Sequence, residues 1–220
     1  MKQLFFDFDG TIANSEPGIV HGIKYMLEQM HLPQLTAAQY RTFIGPSLTS
    51  SLKRYFPQLS DADCQMAVKH YQKLYSESAI YELSLYPGVV EALQQLNSAG
   101  YRVNIATAKP EVMVKRIVQH CDLSQYFAGI YGATLDESIR STKTAVLAYG
   151  LHEAGADPAH SLMIGDRDTD MLGGYHNHVA TLGVLYGFGN KAELLAAHAG
   201  ALIDSPQELP EGIAEMLATA

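Results

Sequence analysis

The sequence predicts an α/β fold: a doubly wound, Rossmann-like parallel sheet with an α-helical cap inserted after its first strand. Three observations carry this. The run Gln3 to Phe8 is apolar and aromatic and is stopped by Gly10-Thr11, which reads as a buried strand followed by a turn. Residues 16 to 80 then read as helix after helix with no strand. From Pro87-Gly88 onward, helical patterns and short apolar runs alternate to the end of the chain, as parallel strands joined by helical crossovers do.

Each element follows in order. From Ser15, Pro17 suits a first helical turn, and Ile19, Ile23, Leu27 and Met30 recur at threes and fours until Pro33 ends the pattern. Further helices are expected over Ala37 to Phe43, Ser47 to Phe56 and Asp61 to Ser78. The last opens with a capping-box pair, Ser60 and Asp63, and carries Met66, Tyr71, Leu74 and Tyr75 along one side. Tyr71, Tyr75 and Tyr81 are read as packing within this helical block. There follow helix Val89 to Ala99, strand Tyr101 to Ala106, helix Pro110 to Cys121 and a strand around Gly129 to Ala133. Helix Thr142 to Ala154, strand Ser161 to Ile164, helix Thr169 to His176, strand Val179 to Val184, a short strand Ala201 to Ile203 and a final helix complete the series. The expected division is a core domain from residues 1–15 and 82–220 and a cap domain from residues 16–81.

Composition excludes several classes of function. The 220 residues carry 15 Lys plus Arg against 23 Asp plus Glu, a formal charge of −8, and show no basic stripe. Phosphate backbones and anionic lipid are therefore repelled, so neither nucleic acid nor membrane is expected as a partner. With 47% hydrophobic residues a full core can be buried. Cys64 and Cys121 have neither metal-ligand nor disulfide-framework spacing, which fits a reducing compartment. Asp7 interrupts the first residues, so they lack the apolar core of a signal peptide, and no stretch of 18 apolar residues occurs. The expectation is a cytoplasmic monomer or weak homodimer. The nine histidines, His176 and His178 among them, form no ligand spacing and are expected at the surface.

In an open parallel sheet the ligand site lies outside the carboxyl ends of the strands. Three strand ends offer polar side chains there: Asp7-Phe8-Asp9-Gly10-Thr11, Thr107, and Gly165-Asp166-Arg167-Asp168-Thr169-Asp170, with Lys143 close to a helix start. Gly10 lets the chain swing so that Asp7 and Asp9 can border one cavity. A cluster of Asp7, Asp9, Asp166 and Asp170 repels itself unless a cation sits in it. Oxygen ligands with room left for water suit Mg²⁺ better than zinc, and Mg²⁺ in turn favours a phosphate. A hydroxyl and a lysine then balance the remaining phosphate charge. Taken singly, each element has an ordinary reading: a turn acid, an acid-rich helix start, a helix cap, a solvated lysine. Their coincidence at strand ends outweighs those readings.

On these residues the chain resembles the haloacid dehalogenase superfamily of phosphohydrolases, and within it the phosphoglycolate phosphatase-like group with a small helical cap. The resemblance covers the whole chain. Asp7-Phe8-Asp9-Gly10-Thr11 matches the first motif, Thr107 in Ala106-Thr107-Ala108-Lys109-Pro110 the second, Lys143 the third, and Gly165 to Asp170 the fourth. It implies Asp7 as a nucleophile that becomes an aspartyl phosphate and Asp9 as the general acid and base. It implies Mg²⁺ held by Asp7, the backbone carbonyl of Asp9, and Asp166, with Asp170 behind them. Thr107 and Lys143 would hold phosphoryl oxygens, with Thr11 and Ala108 beside them. Relatives often carry a proline after the third-motif lysine, where this chain has Thr144, so Lys109 stands as the alternative phosphate-holding lysine. Asp168 is expected to face solvent or to orient a ligand. Dehalogenation does not follow, because those enzymes lack the second acid that Asp9 supplies.

Specificity is expected from the cap and from the loop Leu185-Tyr186-Gly187-Phe188-Gly189, which resembles the glycine and aromatic loop near the pocket of this group. In the cap stretch Tyr40 to Ser47, Arg41 is the cation that would reach the substrate. Its competing reading is a helix-to-helix turn with Arg41 in solvent. The activity implied is Mg²⁺-dependent hydrolysis of a small phosphomonoester, whether phosphoglycolate-like, a sugar phosphate or a nucleotide. A phosphomutase, or a non-catalytic binding protein on the same fold, are the alternatives.

Overall fold

The chain divides into two compact units, one from Met1–Asn14 and Leu85–Ala220, the other from Ser15–Ser84. The computed structural model describes residues 2–136 and 138–218. The first unit opens with β1 (Gln3–Phe6) and the two-residue β2 (Ala13–Asn14). The second holds α1 (Glu16–Gln29), α2 (Ala37–Arg41), α3 (Leu48–Tyr55) and α4 (Asp61–Glu77), and β3 (Ser84–Leu85) returns the chain. The first unit continues through α5 (Val89–Ser98), β4 (Arg102–Pro110), α6 (Glu111–His120), β5 (Gly129–Ala133), α7 (Lys143–Ala154), β6 (Ser161–Gly165) and α8 (Asp168–His176). It ends with β7 (Ala180–Val184), α9 (Lys191–Ala196), β8 (Ala201–Ile203) and α10 (Leu209–Ala218).

Six strands pair in the order β5-β4-β1-β6-β7-β8, all parallel, with Leu4 opposite both Val103 and Leu162. Every side chain of β1 is buried, as a strand covered on both faces must be. Phe5 packs under α7 with Ala106, Val146, Leu147, Leu151 and Met163. A satellite cluster joins Met171 of α8 to Leu194 and Ala197 at α9. The strand order runs one way from β1 to β4 and β5 and the other way from β1 to β6, β7 and β8. The crevice where that direction reverses therefore opens at the carboxyl ends of β1, β4 and β6.

In the helical unit, α1 buries Ile19, Ile23, Met26 and Leu27. Ser60 and Asp63 form the expected capping box at α4, whose buried side carries Cys64, Ala67 and Tyr75. Tyr75 stacks on Tyr71 with ring centroids 5.0 Å apart. Met66 corrects the sequence reading: it is 54% exposed, because the stripe through Cys64, Ala67 and Tyr71 leaves its neighbour outside. Tyr81 sits at the surface, 36% exposed.

Three further differences concern two strand ends and one short helix. β1 stops at Phe6 rather than Phe8, since Phe8 O accepts from the amides of Ile12 and Ala13 and so belongs to the turn that follows. β4 runs to Pro110 rather than ending near Thr107, with a register shift between Thr107 and Pro110. The short helix α9 was not expected; Asn190 caps it by accepting the Glu193 amide at 3.1 Å. Eight of the nine histidines are exposed and His70 is half-buried. Cys64 is buried and Cys121 half-buried, and both are free thiols. No helix of the described residues is long and apolar enough to cross a membrane.

Candidate active site

The carboxyl end of β1 turns sharply. Asp7 still continues the ladder, its amide donating to Ile164 O at 2.8 Å, and the chain then reverses through Gly10 at φ +88°. That backbone conformation suits glycine, and a Cβ at Gly10 would also collide with the Asp166 carboxylate. The close approach brings the first and fourth motifs together: Asp7, Asp166 and Asp170 are buried with carboxylate oxygens within 4.8 Å of one another.

Lys143, at the start of α7, enters this cluster. Its Nζ lies 2.6 Å from Asp7 Oδ1 and 2.8 Å from Asp170 Oδ1, and its side chain is 4% exposed. Among the described residues those two oxygens have no further hydrogen-bond partner. Asp166 is held differently: its Oδ2 accepts the Phe188 amide at 2.7 Å and its Oδ1 the Thr11 hydroxyl at 3.3 Å. Asp170 also accepts the Arg167 amide at 3.1 Å.

The charges are out of balance, three buried carboxylates against one ammonium. Burial raises the Asp166 carboxyl well above its usual range, and repulsion from Asp170 and Asp7 adds to this. Asp170 is pushed up to about 6, chiefly by burial, with Lys143 pulling it down and Asp7 pushing it up. For Lys143 burial disfavours the charge, yet the carboxylates of Asp170 and Asp7 hold its pKa above the ordinary lysine value. A divalent cation fits this arrangement. All its donors are oxygens, two of them are unsatisfied apart from Lys143, and the excess negative charge is buried.

The sequence expectation of a four-carboxylate cluster is corrected by Asp9. Its carboxylate is not among the clustered three but takes the ammonium of Lys109, at 2.7 Å to Oδ2 and 3.0 Å to Oδ1. The two candidate lysines are thus divided, Lys143 on Asp7 and Asp170, Lys109 on Asp9. Thr107 is buried and its Oγ1 accepts the Lys109 amide at 3.3 Å, while Ala108 is half-buried beside it. Thr11 directs its hydroxyl at Asp166. Asp168 is half-buried and accepts the Thr169 amide with its own side chain. Arg41, in the helical unit, donates to Glu16 at 2.7 Å.

The loop after β7 closes the floor of the site. Gly187 lies so close to Asp166 that a Cβ there would strike both that side chain and Gly10 O. The Tyr186 hydroxyl donates to Thr11 O at 3.0 Å, and burial, helped by the nearby Asp166 charge, raises its pKa. Sequence reasoning missed Glu193, which accepts from Arg167 Nε at 2.7 Å and from the Asp168 amide at 3.1 Å and so ties the fourth motif to α9. The spacing Asn190-x-x-Glu193 before an apolar run is the signal that would have found it.

With this geometry the family can be stated. The model of the haloacid dehalogenase-like hydrolases matches residues 4–184. The chain belongs to that family. It is 34% identical over 194 residues to a 5'-nucleotidase of Pseudomonas aeruginosa, covering 88% of this chain and 87% of that one. A phosphoglycolate phosphatase of Vibrio vulnificus is 25% identical over 218 residues, covering 95% and 94%. Among solved structures, a predicted phosphatase from Clostridium acetobutylicum superposes with a TM-score of 0.93 at 32% identity, over 97% of this chain and 98% of that one. The six-stranded parallel sheet flanked by helices is the fold of these hydrolases.

Proposed function

We propose that this hydrolase releases inorganic phosphate from a small phosphomonoester through a phosphoryl group carried on Asp7. The observation that carries the reading is the pairing of a buried Asp7 carboxylate with Lys143, inside a cluster whose negative charge exceeds its positive. Such a site attracts a divalent cation and, with it, a phosphate dianion. Resemblance to a 5'-nucleotidase and to phosphoglycolate phosphatases supports a small soluble phosphate ester as substrate.

Asp7, Asp166 and Asp170, with the Asp9 carbonyl, are the groups that would hold Mg²⁺. Bound there, the ion supplies positive charge to the phosphoryl oxygens. An Asp7 oxygen attacks phosphorus in line; the new P–O bond forms as the ester P–O bond breaks, and Asp9 gives its proton to the departing alkoxide. Water then attacks the phosphorus of the aspartyl phosphate while Asp9 takes up its proton, which frees phosphate and restores Asp7. Lys143 orients Asp7 throughout and, with Thr107, meets phosphoryl oxygens.

The test is phosphate release from a panel of small phosphomonoesters with Mg²⁺ and with EDTA, repeated on Asp7→Asn. Metal-dependent release is expected from some members, lost by roughly 10⁴-fold or more in the variant, the scale on which removal of a nucleophile acts. A folded Asp7→Asn protein that keeps appreciable turnover overturns the nucleophile assignment.

A further inference from the structure

The local construction around Lys109 sets its ammonium on the Asp9 carboxylate. β4 shifts register against β5 between Thr107 and Pro110, a bulge of the kind that re-aims a side chain. Gly132 of β5 makes room for it: a Cβ there would lie 2.6 Å from Lys109 O and 2.8 Å from the backbone of Glu111. Thr107 Oγ1 accepts the Lys109 amide at 3.3 Å and pins the displaced residue. The outcome is a lysine whose side chain is 5% exposed, with its ammonium on both oxygens of Asp9, at 3.0 and 2.7 Å. The Asp9 side chain is 13% exposed and so remains open to a substrate.

We infer that Lys109 is a positioning residue for Asp9, fixing the carboxyl group that serves the leaving oxygen, and is not the lysine that binds the phosphoryl group. This rests on the reading of Asp9 as general acid and base given above. An ammonium has three N–H donors and can keep one on a single Asp9 oxygen while the other oxygen is turned to the leaving group. Without it Asp9 rotates freely on the bent segment between Phe8 and Gly10, and proton transfer loses its geometry. Binding of the phosphoryl group is left to Lys143 and Thr107.

The assay measures kcat/KM, which reports the steps through departure of the alcohol, for two ester types. One is an alkyl phosphomonoester that the wild-type enzyme hydrolyses. The other is p-nitrophenyl phosphate, whose leaving group departs without a proton. Lys109→Met is expected to lower kcat/KM for the alkyl ester by about 10²-fold, the lower scale of acid catalysis, and for the aryl ester by only a few-fold. Lys109→Arg, which keeps a donor, is expected to recover part of the alkyl activity. Asp9→Asn should show the same selectivity more strongly. Equal losses on both esters in Lys109→Met, in a protein with wild-type secondary structure and cooperative thermal unfolding, overturn the inference in favour of phosphate binding. If instead Asp9→Asn itself shows no difference between the esters, the parent assignment of Asp9 fails. Selectivity in Asp9→Asn with none in Lys109→Met removes Lys109 alone.

Discussion

Lys143 Nζ sits 2.6 Å from Asp7 Oδ1, and it is the cation that allows this buried carboxylate to coexist with Asp166 and Asp170. Removing it exposes the repulsion that it masks. Lys143→Met is expected to lower stability by about 3–5 kcal/mol, the cost of stripping one partner from a buried ion pair. Thermal unfolding in EDTA measures this, and added Mg²⁺ should restore part of the loss. Because the folded pKa of Lys143 is raised, its contribution is complete below the unfolded lysine pKa and fades only as pH climbs through the folded value. Lys143 itself therefore does not titrate through the neutral range, where any pH dependence of the difference comes from Asp170, and a difference that vanishes at pH 8 contradicts the pairing.

Asp170 has its pKa pushed up to about 6, so it holds a proton in the folded, metal-free protein at pH values where the unfolded chain has released it. Its contribution favours the folded state below the unfolded carboxylate pKa and is lost as pH rises through about 6. A cation competes with that proton. Mg²⁺ affinity is expected to weaken about tenfold per pH unit below 6, and the raised Asp166 acts in the same sense. Calorimetric titration at pH 5 and pH 8 reads the effect, and equal affinities at the two values refute it.

Gly10 combines a positive φ with contact against Asp166. Gly10→Ala is expected to cost about 1–3 kcal/mol of stability through backbone strain. It should also displace the Asp166 carboxylate and so abolish the rise in melting temperature on adding Mg²⁺. A variant that unfolds at the wild-type temperature and still responds to Mg²⁺ shows that the turn can adapt.

Glu193 ties Arg167 and the Asp168 amide to α9. Glu193→Ala leaves a half-buried guanidinium without that partner and is expected to destabilise the protein by about 1–3 kcal/mol. Because the loop it braces carries Asp166, Mg²⁺ affinity should fall several-fold while the alkyl-to-aryl ester ratio stays as in the wild type. An altered ratio would give Glu193 a different role.

How much of this was legible in the sequence depends on how local the signal is. Asp7 and Asp166 could be placed together because each ends an apolar run, and strand ends of one parallel sheet share an edge. The partner of Asp9 could not be read. Nothing in the periodicity of Arg102 to Pro110 announces a bulge, and the room for it comes from Gly132 on another strand. The burial of α4 was misjudged at Met66 because several apolar residues on that helix compete for a stripe wide enough for only some of them. Helix α9 escaped notice for its brevity, although its cap was in view.

The central place of β1 also sets the order in which the protein can be built. Leu4, Phe5 and Phe6 leave the ribosome before their partners around Val103 and Leu162, which lie about 100 and 160 residues downstream. At translation rates of ~5–20 residues per second, this apolar strand waits roughly 8–30 s before both neighbours exist. The helical unit, contiguous from Ser15 to Ser84, is complete well before then. A nascent chain thus carries the complete helical segment preceded by an apolar strand that has neither of its sheet neighbours. Chains truncated before Ser161 lack β6, and with it both the second neighbour of β1 and Asp166.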